Sequence, residues 1–385
     1  MSGPLAGVRV IDLSINILGP MAAQTLGDMG ADVIKIETPQ GDKNRHSGPS
    51  RHPGMSALFM ANNRNKRSVV LDLKSPEGIE TLMQLVETAD VFIHTVRASA
   101  AERLGFSYAA VAARNPRIVY AYAAGYNQAG VKKDRPVYDD VIQAESGLVG
   151  LIRDTYGQAQ YVPTAVIDKS SGQMLAGAIA MALYSREKTG EGQEVYIPMY
   201  ENAVSWLMVE HLWNGVFDPP QGPLGYTRML SANRKPFQTT DGHIAICAIT
   251  DDQWRRLFIA LERPEWAEDE RFRHLPERNR HFDELYRLVG ERLRTRSTRE
   301  WCAALDAADV PNGAVNTLQG VYEDAYLHDT GFWVHYDHPT EGPCVTTAVV
   351  PRFSKTPGGI QRPQPTLGQH TQEVLGELRA REAGR

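Results

Sequence analysis

The hydrophobic pattern along the first half of the chain alternates between two periods. The runs GVRVIDLS, ADVIKIE, RSVVLDL, DVFIHTV and RIVYAYAAG are short, apolar and rich in Val, Ile and Tyr. Such runs predict buried strands. Between them, Met21–Met29 (after Gly19-Pro20), Pro76–Glu87 and Tyr108–Ala113 read as helical and predict helices. Strands alternating with crossover helices imply an α/β fold with a parallel sheet covered on both faces. Ligands of such sheets bind beyond the carboxyl ends of the strands.

The segment PTAVIDKSSGQMLAGAIAMAL, Pro163 to Leu183, joins the two patterns. Val166 and Ile167 read as the end of an extended run. From Lys169 the spacing turns helical, with Met174, Ala178, Met181 and Leu183 able to share a buried side. Asp168 therefore sits where a helix N-cap is expected, accepting hydrogen bonds from the free N–H groups of the first turn. The local pattern favours that structural role, and it leaves chemistry at the carboxylate open. The turn KTGEGQ and a further strand, EVYIPMY, follow.

Around DPPQGP the pattern changes to a Pro/Gly-rich linker. Beyond it, KPFQTTDGHIAICAIT predicts a β-hairpin turning at Asp241-Gly242, followed by helices at Asp252–Leu261, Phe282–Arg294 and Thr298–Ala308. The expected organisation is a large domain over 1–200 plus 340–385, a linker at 201–221, a smaller α+β domain over 222–325 and a return linker at 326–339. A chain of 385 residues is long enough for two cores.

Composition narrows the class. A hydrophobic share of 42% with 23% charged residues describes an ordinary globular chain, and a net charge of −5 gives no reason to expect nucleic acid. Cys247, Cys302 and Cys344 show no metal-ligand spacing and suit reduced thiols in the cytoplasm. No signal-peptide pattern and no membrane-length apolar run is present, so neither secretion nor membrane insertion is expected.

Several chemistries fail on their motifs. Glu37 closes the second strand where a ribose-binding acid could sit, but the turn SINILGP lacks the G-x-G-x-x-G fingerprint of dinucleotide binding. No Walker loop and no Gly-x-Ser-x-Gly elbow occurs. The pairs His335/His338 and His46/His52 have no companions to complete a metal site. Basic residues are more suggestive. Arg64, Lys66, Arg67, Lys74, Arg97, Arg103, Lys132, Lys133 and Arg135 flank strand ends, where they could hold phosphates or simply be solvated.

These blocks bring a resemblance with them. GVRVIDLS…GP…LGDMGADVIKIETPQGD followed by NNRNKRSVVLDLKSPEG resembles the opening of the family III CoA-transferases, the CaiB/BaiF type, to which formyl-CoA:oxalate CoA-transferase belongs and of which the α-methylacyl-CoA racemases are a related branch. The similarity continues in order through ADVFIHTVRASAAERLGF, YDDVIQAESGL, REKTGEGQEVYIPM, FQTTDGHIAI and PRFSKTPG…PTLGQHTQEVL. It implies a Rossmann-like large domain built from both chain ends, a small domain, and two chains interlocked as a homodimer.

The resemblance also implies roles. Asp168 becomes the nucleophile that receives acyl and CoA groups in turn. CoA contacts are implied at Leu71, Asp72, Leu73 and Lys74, at Thr95, Val96 and Arg97, and at Arg103, Arg135 and Tyr138. Ile17, Leu18, Tyr138 and Asp139 would border the substrate. Coenzyme A esters would be substrate and product, with a carboxylic acid as second substrate, no tightly bound cofactor and no metal. Tyr138-Asp139 stands where the racemases carry His-Asp. Tyrosine, with a reference pKa near ~10, is a poor base, which favours transfer over α-proton exchange.

Overall fold

The structure, a computed structural model, describes residues 3–383. Six strands form one parallel sheet: β1 (Arg9–Leu13), β2 (Asp32–Glu37), β3 (Lys66–Val70), β4 (Val91–His94), β5 (Val119–Ala124) and β6 (Gln193–Pro198). Their order is β3-β2-β1-β4-β5-β6. Ile11 of β1 pairs with Ile34 on one side and Phe92 on the other. The chain thus winds outward from β1 to β3 and returns on the opposite side at β4. Such a reversal leaves a crevice at the carboxyl ends of the two central strands, the usual ligand position in this architecture.

One face of the sheet is sealed by Leu82, Leu85 and Val86 of the Pro76–Glu87 helix, packed with Ile11, Ile34, Val69 and Phe92. Val374 and Leu378 of the Thr371–Ala383 helix join the same cluster. Each such side chain contributes roughly 1.5–3 kcal/mol on full burial, so the sheet is a rigid platform for the loops at its carboxyl end.

Three of the basic residues that flank the strands do not serve a ligand. Lys66 is fully buried and donates to Asp12 (2.9 Å), Asn63 and the Pro20 carbonyl. Arg64 pairs with Asp28 at 2.7 Å, and Arg67 spans Asp32, Glu373 and Glu377. A cation between the layers of an α/β fold must be paired, and each partner carboxylate lies far away in sequence. Glu37 is likewise occupied: its carboxylate clamps Arg45 (2.8 and 2.7 Å) and accepts from Ser68.

The chain divides into two compact units. One comprises the residues up to Ser146, Tyr161–Ser205 and the stretch from His328 onward; the other comprises Gly147–Gln160 and Trp206–Leu327. The first holds the parallel sheet. The second holds a small antiparallel sheet, β7 (Phe237–Gln238), β8 (His243–Ile246) and β9 (Asn312–Ala314), with the predicted turn at Asp241-Gly242. Its core is aromatic: Trp254, Phe258, Phe282, Tyr286 and Trp301 are all buried. An antiparallel hairpin of β10 (Trp333–His338) and β11 (Gly342–Thr347) belongs to the first unit. The stretch 201–221, expected as linker, is instead helical over Met199–His211 and Trp213–Val216. The prolines and glycines that suggested a linker begin only at Pro219. Among the described residues no helix is long and apolar enough to cross a membrane.

Candidate active site

The helix that carries Asp168 runs over Val166–Thr189, three residues ahead of the predicted start. Asp168 is therefore not the cap; it stands inside the first turn, and the cap position is Ala165. The capping is done by Asp139. Its Oδ2 accepts from the backbone N–H of Ile167 (2.8 Å) and of Asp168 (2.9 Å), while Oδ1 accepts from Gln143 Nε2 (2.5 Å). Gln143 in turn accepts from the Val162 N–H at 2.9 Å. The β-branched pair Val166-Ile167 reads as extended locally, but this distant carboxylate satisfies the free N–H groups and draws the pair into the helix.

The buried face also differs from the expected one. Ile167, Ser171, Leu175, Ile179, Ala182 and Leu183 face inward, whereas Met174 and Met181 are exposed. Gly172, one turn beyond Asp168, explains how closely this helix approaches its neighbour. A Cβ there would lie 2.7 Å from the Leu18 carbonyl oxygen. Glycine lets the helix press against the Leu18–Asp28 helix, whose first turn forms one wall of the site.

With Asp139 acting as cap, the Asp168 carboxylate is released for other use. No hydrogen bond or ion pair to it occurs among the described residues. Burial pushes its carboxyl up to about 6, and the negative charges of Asp139 and Asp140 push in the same direction. The N-terminal end of a long helix favours an anion, so burial and like charge here outweigh the dipole. A desolvated, unpartnered carboxylate in a cleft is a candidate for catalysis rather than for stability.

That cleft opens where the topology requires, beyond the carboxyl ends of β1, β4, β5 and β6, with an enclosed volume of about 200 Å³. It brings together Leu18, Thr95, Arg97, Arg135, Tyr138 and Asp168 from the residues implied by sequence. Drug-sized ligands usually occupy about 300–1,000 Å³, so the enclosed part suits the reacting end of a larger molecule. Arg97, exposed at the rim with Lys133, has no carboxylate partner among the described residues, while Arg135 is paired with Glu145 at 2.7 Å.

Other implied residues stand outside this lining. Ile17 is not part of it, and Asp139 is buried behind it as the cap. Leu71, Asp72, Leu73 and Lys74 follow β3 at the same edge of the sheet, where Leu71 and Leu73 pack into the core and Asp72 and Lys74 are exposed. Val96 packs into that core too, and Arg103 is exposed in the last turn of the Ala98–Leu104 helix. No helix was expected from sequence over that stretch. Ile15, Asn16, Gly125 and Met199 line the cleft but were not anticipated. All four lie within three residues of the ends of β1, β5 and β6, so the carboxyl-end rule could have found them.

The β1 loop is held from below by buried charge. Lys35, fully buried, donates to the Ser14 carbonyl (2.8 Å) and to Asp42 (3.0 Å). Asp42 receives the Asn16 N–H, Asn44 donates to the Asn16 carbonyl, and the Ile15 N–H donates to Thr95 Oγ1. Asn16 has φ +67°, a conformation that Asn tolerates better than most residues. Burial alone would raise the Asp12 carboxyl, but Lys66 and Lys35 outweigh it and hold it low. On the β4 side, burial drives His94 down to about 3, so the ring is neutral. It accepts from the Val96 N–H and bonds Tyr120 Oη, which fixes the turn that leads to Thr95 and Arg97.

Comparison with known proteins identifies the family. The model of CoA-transferase family III matches residues 5–371. The chain belongs to CoA-transferase family III. A succinate–glutarate CoA-transferase of Agrobacterium fabrum is 32% identical, covering 97% of this chain and 96% of its own length. An (R)-2-hydroxy-4-methylpentanoate CoA-transferase of Clostridioides difficile is 30% identical, over 97% and 95% of the two chains. The crystal structure of a CaiB/BaiF family protein from Brucella suis superposes with a TM-score of 0.81 at 30% identity, covering 98% of this chain and all of that one. This family III enzyme is a CoA-transferase with a mixed α/β fold in which the parallel sheet is the larger part.

Proposed function

We propose that this enzyme moves CoA from an acyl-CoA thioester to a free carboxylic acid through covalent intermediates on Asp168. The observation that carries the proposal is the division of labour between two aspartates: Asp139 caps the helix, and Asp168 remains unpartnered in the cleft. A carboxylate is a weak nucleophile in water but attacks a thioester once it is desolvated and held in position.

In the proposed sequence the ionised Asp168 attacks the acyl carbonyl, and the C–S bond breaks to give an aspartyl–acyl anhydride and CoA thiolate. The thiolate then attacks the aspartyl carbonyl, which releases the first acid and leaves an aspartyl-CoA thioester. The acceptor carboxylate attacks that thioester to form a second anhydride and thiolate. Attack of the thiolate on the acceptor carbonyl yields the new acyl-CoA and restores Asp168. Each tetrahedral oxyanion needs a donor. The Asn16 side-chain amide, on a loop clamped by Asn44 and Asp42, lines the same cleft and is assigned that role. Arg97 and Lys133 at the rim would attract the phosphates of CoA.

The acceptor is a carboxylic acid of metabolite size, as the names of the relatives suggest; Leu18, Ile15 and Met199 give its pocket an apolar wall. The racemase alternative needs a second base at Cα, and the Asp139 carboxylate is already occupied by the helix N-terminus. The purified protein given succinyl-CoA and glutarate, or an acyl-CoA and another acid from a panel, should yield the new CoA ester without α-proton exchange in deuterated water. Rapid deuterium incorporation without acid exchange would replace this reading with the racemase one.

A further inference from the structure

The second compact unit contains a cavity of its own, about 550 Å³, lined by Arg228, Arg234 and Lys235 with Phe237, Ile246 and Tyr286. Several cations of this unit sit in ion pairs, for example Arg255 and Arg256 with Asp252, or Arg271 with Asp269 and Glu284. The three that line this cavity do not: among the described residues none of them meets a carboxylate, and no acidic side chain lines the space. Arg228 and Arg234 are half-buried, so these cations gather at a concave site without a counter-charge rather than on an open solvated face.

Arg228 is the best anchored. Its Nε donates to Tyr286 Oη at 2.9 Å, its guanidinium lies 5.6 Å over the Phe282 ring, and Nη2 is 3.6 Å from the sulfur of Cys247. Burial disfavours its charge, but the Tyr286 hydroxyl outweighs that and holds the guanidinium protonated. Tyr286 is itself buried and stacked on Phe282 at 5.4 Å, so the cation is pre-oriented with Nη1 left unpartnered. Beside it lie hydrocarbon surfaces from Phe237, Ile246 and Pro311. A fixed guanidinium next to an apolar floor suits an anion with a carbon body.

We infer that this cavity is a second ligand site, distinct from the Asp168 cleft, and that it takes an organic carboxylate of metabolite size. The carboxylate meets Arg228, with Arg234 and Lys235 adding charge, and the carbon chain lies on Phe237, Ile246 and Pro311. A cation pocket for inorganic phosphate would need more donors and less hydrocarbon.

Cys247 is exposed and lines the cavity, so its alkylation reports occupancy directly, with Cys302 and Cys344 as internal references. Adipate, hexanoate and inorganic phosphate are offered to the full chain, and labelling of the Cys247 peptide by iodoacetamide is timed by mass spectrometry. A carboxylate at a concentration about tenfold above its dissociation constant should slow labelling about tenfold by mass action. The protection should persist in Asp168→Asn, which separates this site from the transfer chemistry. It should vanish in Arg228→Gln and weaken in Arg234→Gln/Lys235→Gln. Titration calorimetry of Asp168→Asn against Asp168→Asn/Arg228→Gln gives a second readout, in which the added substitution should remove a carboxylate-binding event. Protection by phosphate alone, protection unaffected by all three cation substitutions, or no difference between the two calorimetric titrations would overturn the inference.

Discussion

At the scale of single residues, two aspartates share a helix terminus and divide its uses. Asp139 supplies the hydrogen bonds that the first turn lacks, and Asp168 is left with a carboxyl raised to about 6 by burial and by the neighbouring charges. Only the ionised form is a nucleophile, so kcat/KM should fall as pH drops through about 6. Asp139→Asn removes one repelling charge, lowers the proton affinity of Asp168 and should move that acid limb below the wild-type position, even where the rate itself suffers. A pH–rate profile of both proteins checks this, and an unmoved limb would disconnect Asp139 from Asp168. The same shift has a stability consequence. A carboxyl whose folded pKa is raised from 3.8 to about 6 binds its proton more tightly in the folded state. Its stabilising contribution is complete below pH 3.8 and is lost as pH rises through about 6. At about 1.36 kcal/mol for each tenfold step in proton affinity this approaches 3 kcal/mol, reduced to about 1–2 kcal/mol by solvent around a partly exposed group. Asp168→Asn should therefore be more stable than the wild type to denaturant at pH 8 and lose that advantage near pH 4.

Among the elements, the contact that decides the site is between the Val166–Thr189 helix and the first turn of the Leu18–Asp28 helix. Gly172→Ala places a methyl 2.7 Å from the Leu18 carbonyl oxygen and must push the helices apart. It should cost about 1–3 kcal/mol by overpacking and reduce turnover, because Asp168 lies one turn away. Gly177→Ala on the same helix meets nothing within 4 Å. It should stabilise by roughly 0.5–1 kcal/mol, the ordinary preference for Ala over Gly in a helix interior. Thermal melts and kcat for the pair distinguish close packing from simple helix propensity. Sequence reading was strong where periodicity alone sets the element. Pro76–Glu87 was placed with both ends correct, and the six strands of the parallel sheet were all found, whereas β9, β10 and β11 were not. It failed where a distant group overrides local preference. The cap on Asp168's helix comes from Asp139, and Ser99 of the missed Ala98–Leu104 helix donates to Asp134. The buried roles of Arg64, Lys66 and Arg67 were hidden for the same reason, since a cation shows its charge in a sequence but not its partner.

For the whole molecule, the alternation of strands and helices made the sheet and the position of its binding edge legible, and that edge is where Asp168, Thr95, Arg97, Arg135 and Tyr138 converge. What periodicity could not show was which loop residues complete the cleft, because Asn16, Gly125 and Met199 have no chemical signature apart from their place after a strand. We propose, from the family resemblance, that two chains interlock as a homodimer. This arrangement predicts that dilution to nanomolar concentration leaves the sedimentation coefficient unchanged, because interlinked chains must unthread before they separate. A compact monomer in that experiment would remove the proposal. The central claim is that CoA passes through Asp168, and the intact mass of the enzyme tests it most directly. With an acyl-CoA and no acceptor acid, the chain should gain the mass of CoA minus water. Peptide mapping should place the adduct on Asp168, and hydroxylamine should convert that carboxyl to a hydroxamate. Asp168→Asn should fold, gain no mass and transfer nothing; an Asp168→Asn protein that still transfers CoA at near the wild-type rate would contradict the account.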